Sequence, residues 1–254
     1  MVGILKLRTL TCLLTVCGLL LAAVATAPAA PTRAFVGARL IPITGDEIEN
    51  GVLVVSEGKI VAVGTADAVD IPDGAEEIDV TGRVIMPGLV CTHSHVGGIG
   101  GADSSGPIQP GIRIHDSLNI HDSGFQRAIA GGLTTLNIMP GSGHLISGQT
   151  IYVKLRFGEE GPRQIDDLFI LDDDGDPMGG LKMANGTNSM RDPPFPGTRG
   201  RSAFLVRQQY IRAREYAHKK ARAGDDPDKQ PPRDLDLEAL VEAMQGKRGA
   251  TTTS

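Results

Sequence analysis

An apolar run that ends on two histidines constrains this chain more than any other stretch. It covers residues 84–95, VIMPGLVCTHSH, with a Pro-Gly break in its middle and His93 and His95 at its end. In a strand, residues i and i+2 point to the same face, so the two imidazoles are predicted to lie side by side, with Ser94 turned away. Imidazole is a common ligand of zinc, iron and nickel. His93 and His95 are therefore the candidate metal ligands.

The residues around this His-x-His pair favour a metal site over a merely polar strand end. Residues 86–95 resemble the Pro-Gly-hydrophobic-x-x-x-His-x-His signature of the amidohydrolase superfamily. A predicted helix, a Gly-Gly pair and a strand over 133–139 are similar to the second βα unit of that superfamily. Residues 140–149 and 180–188 resemble a branch of exported amidohydrolases related to imidazolonepropionase.

This resemblance implies an α/β fold and a hydrolytic reaction. The expected architecture is a (β/α)8 barrel preceded by half of a small β-sandwich, whose other half comes from the chain's C-terminus in that superfamily. The expected cofactor is a divalent metal, with zinc as the first choice and one or two ions left open. Such a metal lowers the pKa of a bound water to about 7. The implied partner is a small amide, peptide or cyclic amide that is cut at a C–N bond.

The resemblance also implies ligands from later strands. Two further histidines, an aspartate that takes the proton of the attacking water and, in some branches, a bridging carboxylated lysine complete such sites. His144 follows the second predicted strand on the catalytic side and is a candidate substrate contact, although a surface or locally hydrogen-bonded histidine is the favoured explanation of it. His115 and His121 lie in a long loop, and His218 lies on a charged helix. The general-base aspartate is expected beyond the end of the chain.

Residues 1–30 have the layout of a secretory signal peptide. Lys6 and Arg8 precede an apolar run over residues 10–24, which is followed by small residues suited to cleavage. The run is shorter than the roughly 20 residues that a membrane span needs. We therefore expect export to the periplasm or the medium, without stable membrane insertion after cleavage. Cys91 would be the only remaining cysteine, so neither an internal disulfide nor a cysteine metal site is expected.

The overall composition is that of an ordinary soluble protein. The chain has 254 residues, a formal net charge of −5, 41% hydrophobic residues and 22% charged residues. This balance gives no support for nucleic-acid binding, which requires a basic surface.

A basic helix over 201–222 is interpreted as a solvated face. The acidic run 172–176 is interpreted as a solvated turn, because Pro177 and Met183 stand where a calcium loop needs Gly and Glu. The oligomeric state is left open.

The sequence predicts four segments along the chain. They are a signal peptide at 1–30, a β-sandwich segment at 31–86, the N-terminal part of the barrel at 87–248 and an unstructured tail at 249–254.

The number of residues available for the barrel is small. A (β/α)8 barrel takes about 250 residues, and fewer follow Gly88. The strand candidates after Gly88 are 89–92, 133–138, 151–155 and 167–171. The third candidate, 151–155, could instead be a hairpin excursion outside the barrel. The favoured function is a metal-dependent amidohydrolase, although this chain looks truncated and is expected to be inactive alone. The alternative is an inactive product that retains the fold and at most a weak metal site. A ligand-binding β-domain without chemistry would leave His93 and His95 unexplained.

Overall fold

Two structural units follow one another along the chain. The structure is a computed structural model that describes residues 31–98, 103–157 and 164–253, so the predicted signal peptide lies outside the described residues. One unit ends at Pro87 and the other begins at Gly88. Within the described ranges, no helix is both long and apolar enough to cross a membrane.

The first unit is a five-stranded sheet built mainly from neighbouring segments of the chain. Four strands lie in the order β3-β2-β1-β4, and β5 also pairs with β1. The β1–β2 and β2–β3 pairs are antiparallel, whereas β4 and β5 run parallel to β1. The strands are β1 (Arg33–Leu40), β2 (Ile48–Ser56), β3 (Lys59–Thr65), β4 (Glu76–Asp79) and β5 (Val84–Ile85).

The hairpin predicted in this unit is confirmed. Ser56 pairs with Lys59, which leaves Glu57 and Gly58 as a two-residue turn. Both turn residues have positive φ, 50° and 74°, the backbone twist that matches the right-handed twist of the flanking strands. Alternating residues of β1 and β2, such as Ala34 and Val54, are fully buried and form the apolar face of the sheet.

The second unit contains two three-stranded sheets. Their orders are β6-β7-β9 and β11-β10-β8. The β6–β7 and β10–β11 pairs are parallel, while β9 is antiparallel to β7 and β8 is antiparallel to β10. The strands are β6 (Leu89–Ser94), β7 (Leu133–Ile138), β8 (Ile146–Gln149), β9 (Ile151–Lys154), β10 (Gly180–Ala184) and β11 (Gly249–Thr253).

Among the described residues, three α-helices cover these sheets, and each begins at a side-chain cap. They are α1 (Ser123–Ala130), α2 (Arg199–Ala223) and α3 (Leu235–Met244). Asp122, Thr198 and Asp234 each accept a hydrogen bond from a first-turn backbone N–H, which satisfies one of the donors left open at a helix start. α1 connects β6 to β7 and packs Phe125 into the core beneath them, whereas α2 and α3 pack on β8 and β10.

Two sequence predictions about this unit are wrong. The segment predicted as a strand over 167–171 instead begins as a 3-10 turn at Ile165–Leu168. Gln164 and Asp167 bond to each other's backbone there, and such local bonding competes with strand formation. The tail predicted to be unstructured contains β11, because its backbone pairs with β10 from Gly180 to Ala184 and its threonines suit a strand.

Candidate functional site

The histidine pair lies at the carboxyl end of β6. His93 belongs to the strand and His95 follows it directly. The two Nε2 atoms are 3.3 Å apart and the ring centroids are 5.0 Å apart. Ser94 is buried on the opposite side, while both imidazoles remain accessible to solvent. The i, i+2 spacing therefore brings the two rings together, as the sequence analysis expected.

The hydrogen bond of His95 determines which nitrogen is free. His95 Nδ1 lies 2.8 Å from the carbonyl oxygen of Met139, the residue after β7. A carbonyl oxygen only accepts, so Nδ1 carries the hydrogen and Nε2 of the neutral ring keeps its lone pair. Metal-binding histidines commonly donate their second ring N–H in this way. The lone pair of His95 is therefore directed by a bond to a neighbouring strand.

The separation of the two nitrogens fits a shared metal ion. With Zn–N bonds of about 2.0–2.1 Å and tetrahedral angles, two ligand nitrogens lie about 3.3–3.4 Å apart. The observed 3.3 Å agrees with that value. The same distance permits an N–H···N hydrogen bond, so a proton and a metal would compete for these lone pairs. No group of three or more His, Cys, Asp or Glu side chains able to hold a metal occurs in the described part of the chain.

The Pro-Gly break before β6 has a steric reason. A Cβ atom on Gly88 would lie 2.1 Å from Cγ2 of Thr134, so only glycine leaves room for the Thr134 side chain at this point. Leu89 N–H then donates to the carbonyl oxygen of Gly132, and Met139 N–H donates to that of Ser94. These contacts hold β6 beside β7 and bring the end of β7 to His95.

A cavity of about 530 Å³ lies beside His93, lined by parts of β6, β7, β9 and β11. Asn137 reaches it from β7, and the Oδ1 atom of this buried side chain has no hydrogen-bond partner in the structure. Cys91 also lines the cavity. It is half-buried, and its Sγ donates to the carbonyl oxygen of His93.

Sequence reasoning did not assign Lys182 to the site. This lysine lies on β10 and is completely buried, and burial lowers its pKa. The pKa of His93 is lowered by partial burial, then by the charge of Lys182 and then by that of His95. The available signal was a single charged residue within the otherwise apolar strand sequence GLKMA.

His144 lies in the loop between β7 and β8 and is only 3% exposed. Neither of its ring nitrogens has a hydrogen-bond partner in the structure. Burial lowers its pKa, the charge of Arg191 lowers it further, and the charge of Asp103 opposes both. The neighbouring Leu145 accepts a hydrogen bond from the N–H of Ala184 at the end of β10. His144 is thus neither of the ordinary alternatives, a surface histidine or a locally bonded one.

The other three histidines do not join the pair. His115 packs against Phe169, with ring centroids 5.6 Å apart, and its Nε2 lies 3.1 Å from the Asp116 carboxylate. His121 and His218 are exposed, and His218 lies on the charged helix α2, as expected.

Comparisons with known proteins identify the class to which this fold and histidine pair belong. No protein-family model matches the chain. The chain is 30% identical over 202 residues to amidohydrolase tasK of Hapsidospora irregularis. The matched region is 71% of this chain and 21% of that protein. It is 48% identical over 67 residues to imidazolonepropionase of Rhizobium rhizogenes, covering 25% of this chain and 16% of the relative.

A solved structure extends the likeness to most of the chain. An amidohydrolase from Thermotoga maritima MSB8 superimposes with a TM-score of 0.74 and 29% identity, covering 87% of this chain and 57% of that one. The chain belongs to the amidohydrolase superfamily. It spans less than two thirds of the length of each of these three proteins.

Proposed function

We propose that this chain carries the N-terminal part of a metal-dependent amidohydrolase that cleaves C–N bonds of small amides or cyclic amides. The observation that carries this proposal is the 3.3 Å convergence of the His93 and His95 Nε2 atoms, with the lone pair of His95 directed by its bond to Met139. Relatives whose names include amidohydrolase and imidazolonepropionase support the reaction class.

The residues of this chain would hold a divalent metal, with zinc as the first expectation, and would keep its histidine ligands in the neutral form. When bound, such an ion lowers the pKa of a water molecule and polarises a carbonyl oxygen. His93 and His95 supply two neutral nitrogen ligands. Partial burial is the main cause that lowers the pKa of His93, and the charge of Lys182 adds to it only while that lysine is not carboxylated, so burial keeps the lone pair of the ring available at neutral pH.

Lys182 is proposed as the lysine that some amidohydrolases carry in carboxylated form. A lysine reacts with carbon dioxide only as the neutral amine, and burial lowers the pKa of Lys182 in the required direction. The amine nitrogen would bond to the carbon of CO2 and release one proton to solvent, and the resulting carbamate would carry one negative charge shared by its two oxygens. Such oxygens would add to the two imidazoles as ligands.

The finer architecture is part of the same proposal. The parallel β6–β7 pair with α1 as its crossover, together with the parallel β10–β11 pair, supports a partial (β/α)8 barrel preceded by half of a β-sandwich. His144, between β7 and β8, is proposed as a substrate contact. The protein is also proposed to be exported, and N-terminal sequencing of the mature protein should begin near Pro28–Pro31, not at Met1.

A second candidate is a non-catalytic protein that retains the fold and a weak metal site. It is favoured by one observation: within the described ranges, no third His, Cys, Asp or Glu joins His93 and His95 to form a metal-binding group. Two nitrogen ligands alone bind zinc less tightly than the three or four found in most protein sites. On this view the general-base aspartate is not supplied by the chain itself.

Zinc binding and hydrolysis can be measured on the same purified protein. The chain should bind zinc in titration calorimetry, and His93→Ala/His95→Ala should abolish that binding. His121→Ala removes an exposed histidine and should leave it unchanged. Equal zinc binding by the wild type and the double variant would refute the metal site. Chelator-sensitive hydrolysis of cyclic amides or N-acyl amino acids would favour the enzyme, and zinc binding without turnover would favour the second candidate.

A further inference from the structure

We propose that His144 and Arg191 form a subsite for a carboxylate group, so that the substrate is an amide that carries a carboxylate. This inference rests on the proposed function for the statement that the ligand is a substrate. It rests on His144 and Arg191 alone for the statement that a carboxylate binds.

The first observation is the unsatisfied burial of His144. Each of its ring nitrogens is buried and has no hydrogen-bond partner in the structure. A neutral imidazole has one N–H donor and one acceptor nitrogen, and leaving such groups buried without a partner is costly. Native structures rarely keep them so, except where a ligand, an ion or a water completes the bonding.

The second observation is a guanidinium group that is held in place beside His144. Arg191 Nη2 donates to the carbonyl oxygen of Gly143 at 2.6 Å, and its Cζ lies 3.6 Å above the ring of Phe195. Phe195 also contacts the His144 ring, with centroids 5.6 Å apart. Arg191 forms no ion pair with a carboxylate in the described part of the chain. Its remaining N–H groups are therefore open to an anion.

These two groups favour a carboxylate over other ligands. The planar guanidinium can donate two parallel hydrogen bonds to a carboxylate, and charge-assisted bonds of this kind are roughly twice as strong as neutral ones. The N–H of His144 supplies a further donor. Asp103 is the opposing charge near His144, but its carboxylate accepts from the backbone N–H and the hydroxyl of Ser105. Those bonds stabilise the negative charge of Asp103 locally.

The subsite lies close to the metal pair along the chain. Met139, whose carbonyl oxygen bonds to His95, is five residues before His144. Five residues span at most about 18 Å, and Arg191 is bonded to the same loop at Gly143. The backbones of Met139 and His144 therefore lie within about 18 Å of each other. An open groove is lined by Arg191 and Phe195.

Binding can be tested without metal and without turnover. N-acetylglycine and its uncharged counterpart N-acetylglycinamide are titrated into metal-free, ¹⁵N-labelled full chain at pH 7. The side-chain nitrogen signals of His144, identified by their loss in His144→Gln, are followed by NMR. We expect N-acetylglycine to shift them saturably and N-acetylglycinamide to leave them in place.

The exposed Arg191 allows a variant that should still fold. Arg191→Gln should weaken N-acetylglycine binding at least about tenfold, the loss of one charge-assisted hydrogen bond. Arg207→Gln makes the same charge change at an exposed position of α2 and should have no effect. Arg191→Lys should recover only part of the affinity, because an ammonium group cannot bind a carboxylate in the same two-pronged way.

The subsite and the metal site fail in different ways. His93→Ala/His95→Ala should lose zinc and keep the response to N-acetylglycine, whereas Arg191→Gln should keep zinc and lose that response. Equal shifts with the acid and the amide, no shift at His144, or equal affinity in Arg191→Gln and Arg207→Gln would each overturn the carboxylate subsite. Failure of wild-type zinc binding would instead overturn the proposed function and leave the subsite standing.

Discussion

The histidine pair on β6 and the lone histidine between β7 and β8 differ in almost every physical respect. His93 and His95 are accessible, and their Nε2 atoms lie 3.3 Å apart, with the other nitrogen of His95 bonded to a carbonyl oxygen. His144 is buried, and both of its nitrogens lack a partner in the structure. The Nε2 atoms of the pair converge, and the bond to Met139 leaves the Nε2 lone pair of a neutral His95 ring free. The lone histidine has hydrogen-bonding capacity that the fold leaves unused.

This contrast teaches that the same side chain can be prepared for a ligand in two ways. At the pair, the bond to Met139 fixes the tautomer and direction of His95, so part of the cost of ordering the ligands is met during folding. At His144, the fold buries both ring nitrogens without a protein partner, which leaves their hydrogen bonds to a ligand or a water. Four measurements separate these two situations.

The largest expected effect concerns zinc affinity. His93→Ala should weaken zinc binding by at least ~100-fold, since loss of even an outer-shell partner costs about 10–100-fold. His144→Ala should change it by less than about twofold, because His144 is not placed among the ligands. Titration calorimetry at pH 7 gives both numbers. Similar losses in the two variants would mean that His144 belongs to the metal site.

The next effect concerns folding stability. His144→Met replaces two unsatisfied buried nitrogens by an apolar side chain and should raise the free energy of unfolding by about 1–2 kcal/mol. His121→Met, at an exposed position, should stay within about 0.5 kcal/mol of the wild type. Urea unfolding at pH 7.5 measures both. A loss of stability in His144→Met would show that a water molecule already satisfies the ring.

The pH dependence of stability should report the same burial. The pKa of His144 is lowered from 6.5 by burial, so below about pH 6.5 the unfolded chain binds a proton that the folded chain does not. Stability should therefore fall with decreasing pH, by up to about 1.4 kcal/mol per pH unit for this group. The stability advantage of His144→Met over the wild type should grow as the pH falls from 7.5 to 5.5. A constant difference would contradict the lowered pKa.

The smallest effect concerns the charge of Lys182 at the pair. Lys182→Met should raise the pKa of His93, because the positive charge of Lys182 is one of the causes that lower it. Lys154→Met removes an exposed lysine that bonds to Thr135 and should leave the pKa of His93 unchanged. NMR titration of the imidazoles in metal-free protein detects the difference. No rise in Lys182→Met would mean that burial and the charge of His95 account for the lowered pKa of His93.

The part of the site that could be predicted from sequence is the part fixed by local geometry. The two-residue period of a strand brings His93 beside His95 wherever that strand packs, and the Glu57-Gly58 turn follows equally from neighbouring residues. The superfamily was likewise recognisable, because its signature is contiguous in residues 86–95.

The remainder depends on contacts between residues far apart in sequence. The charge of Lys182 acts on His93 only because β10 folds near β6. Arg191 lies near His144 because it donates a hydrogen bond to the carbonyl oxygen of Gly143, the residue before His144. β11 was missed for the same reason. Its threonines suit a strand, but the segment is short and its partner β10 lies far away in the sequence.

The parallel pairing of β10 with β11 has a kinetic consequence. The two strands are joined by the segment that contains α2 and α3, so their ladder closes only after a long loop has been ordered. The β2–β3 hairpin, with its two-residue turn, can close in about 1–10 μs. β11 also lies at the edge of its sheet and has β10 as its only strand partner among the described residues. Amide protons of β11 should therefore exchange with solvent sooner than those of the central β10, and this strand should be the last of the sheet to gain protection during refolding.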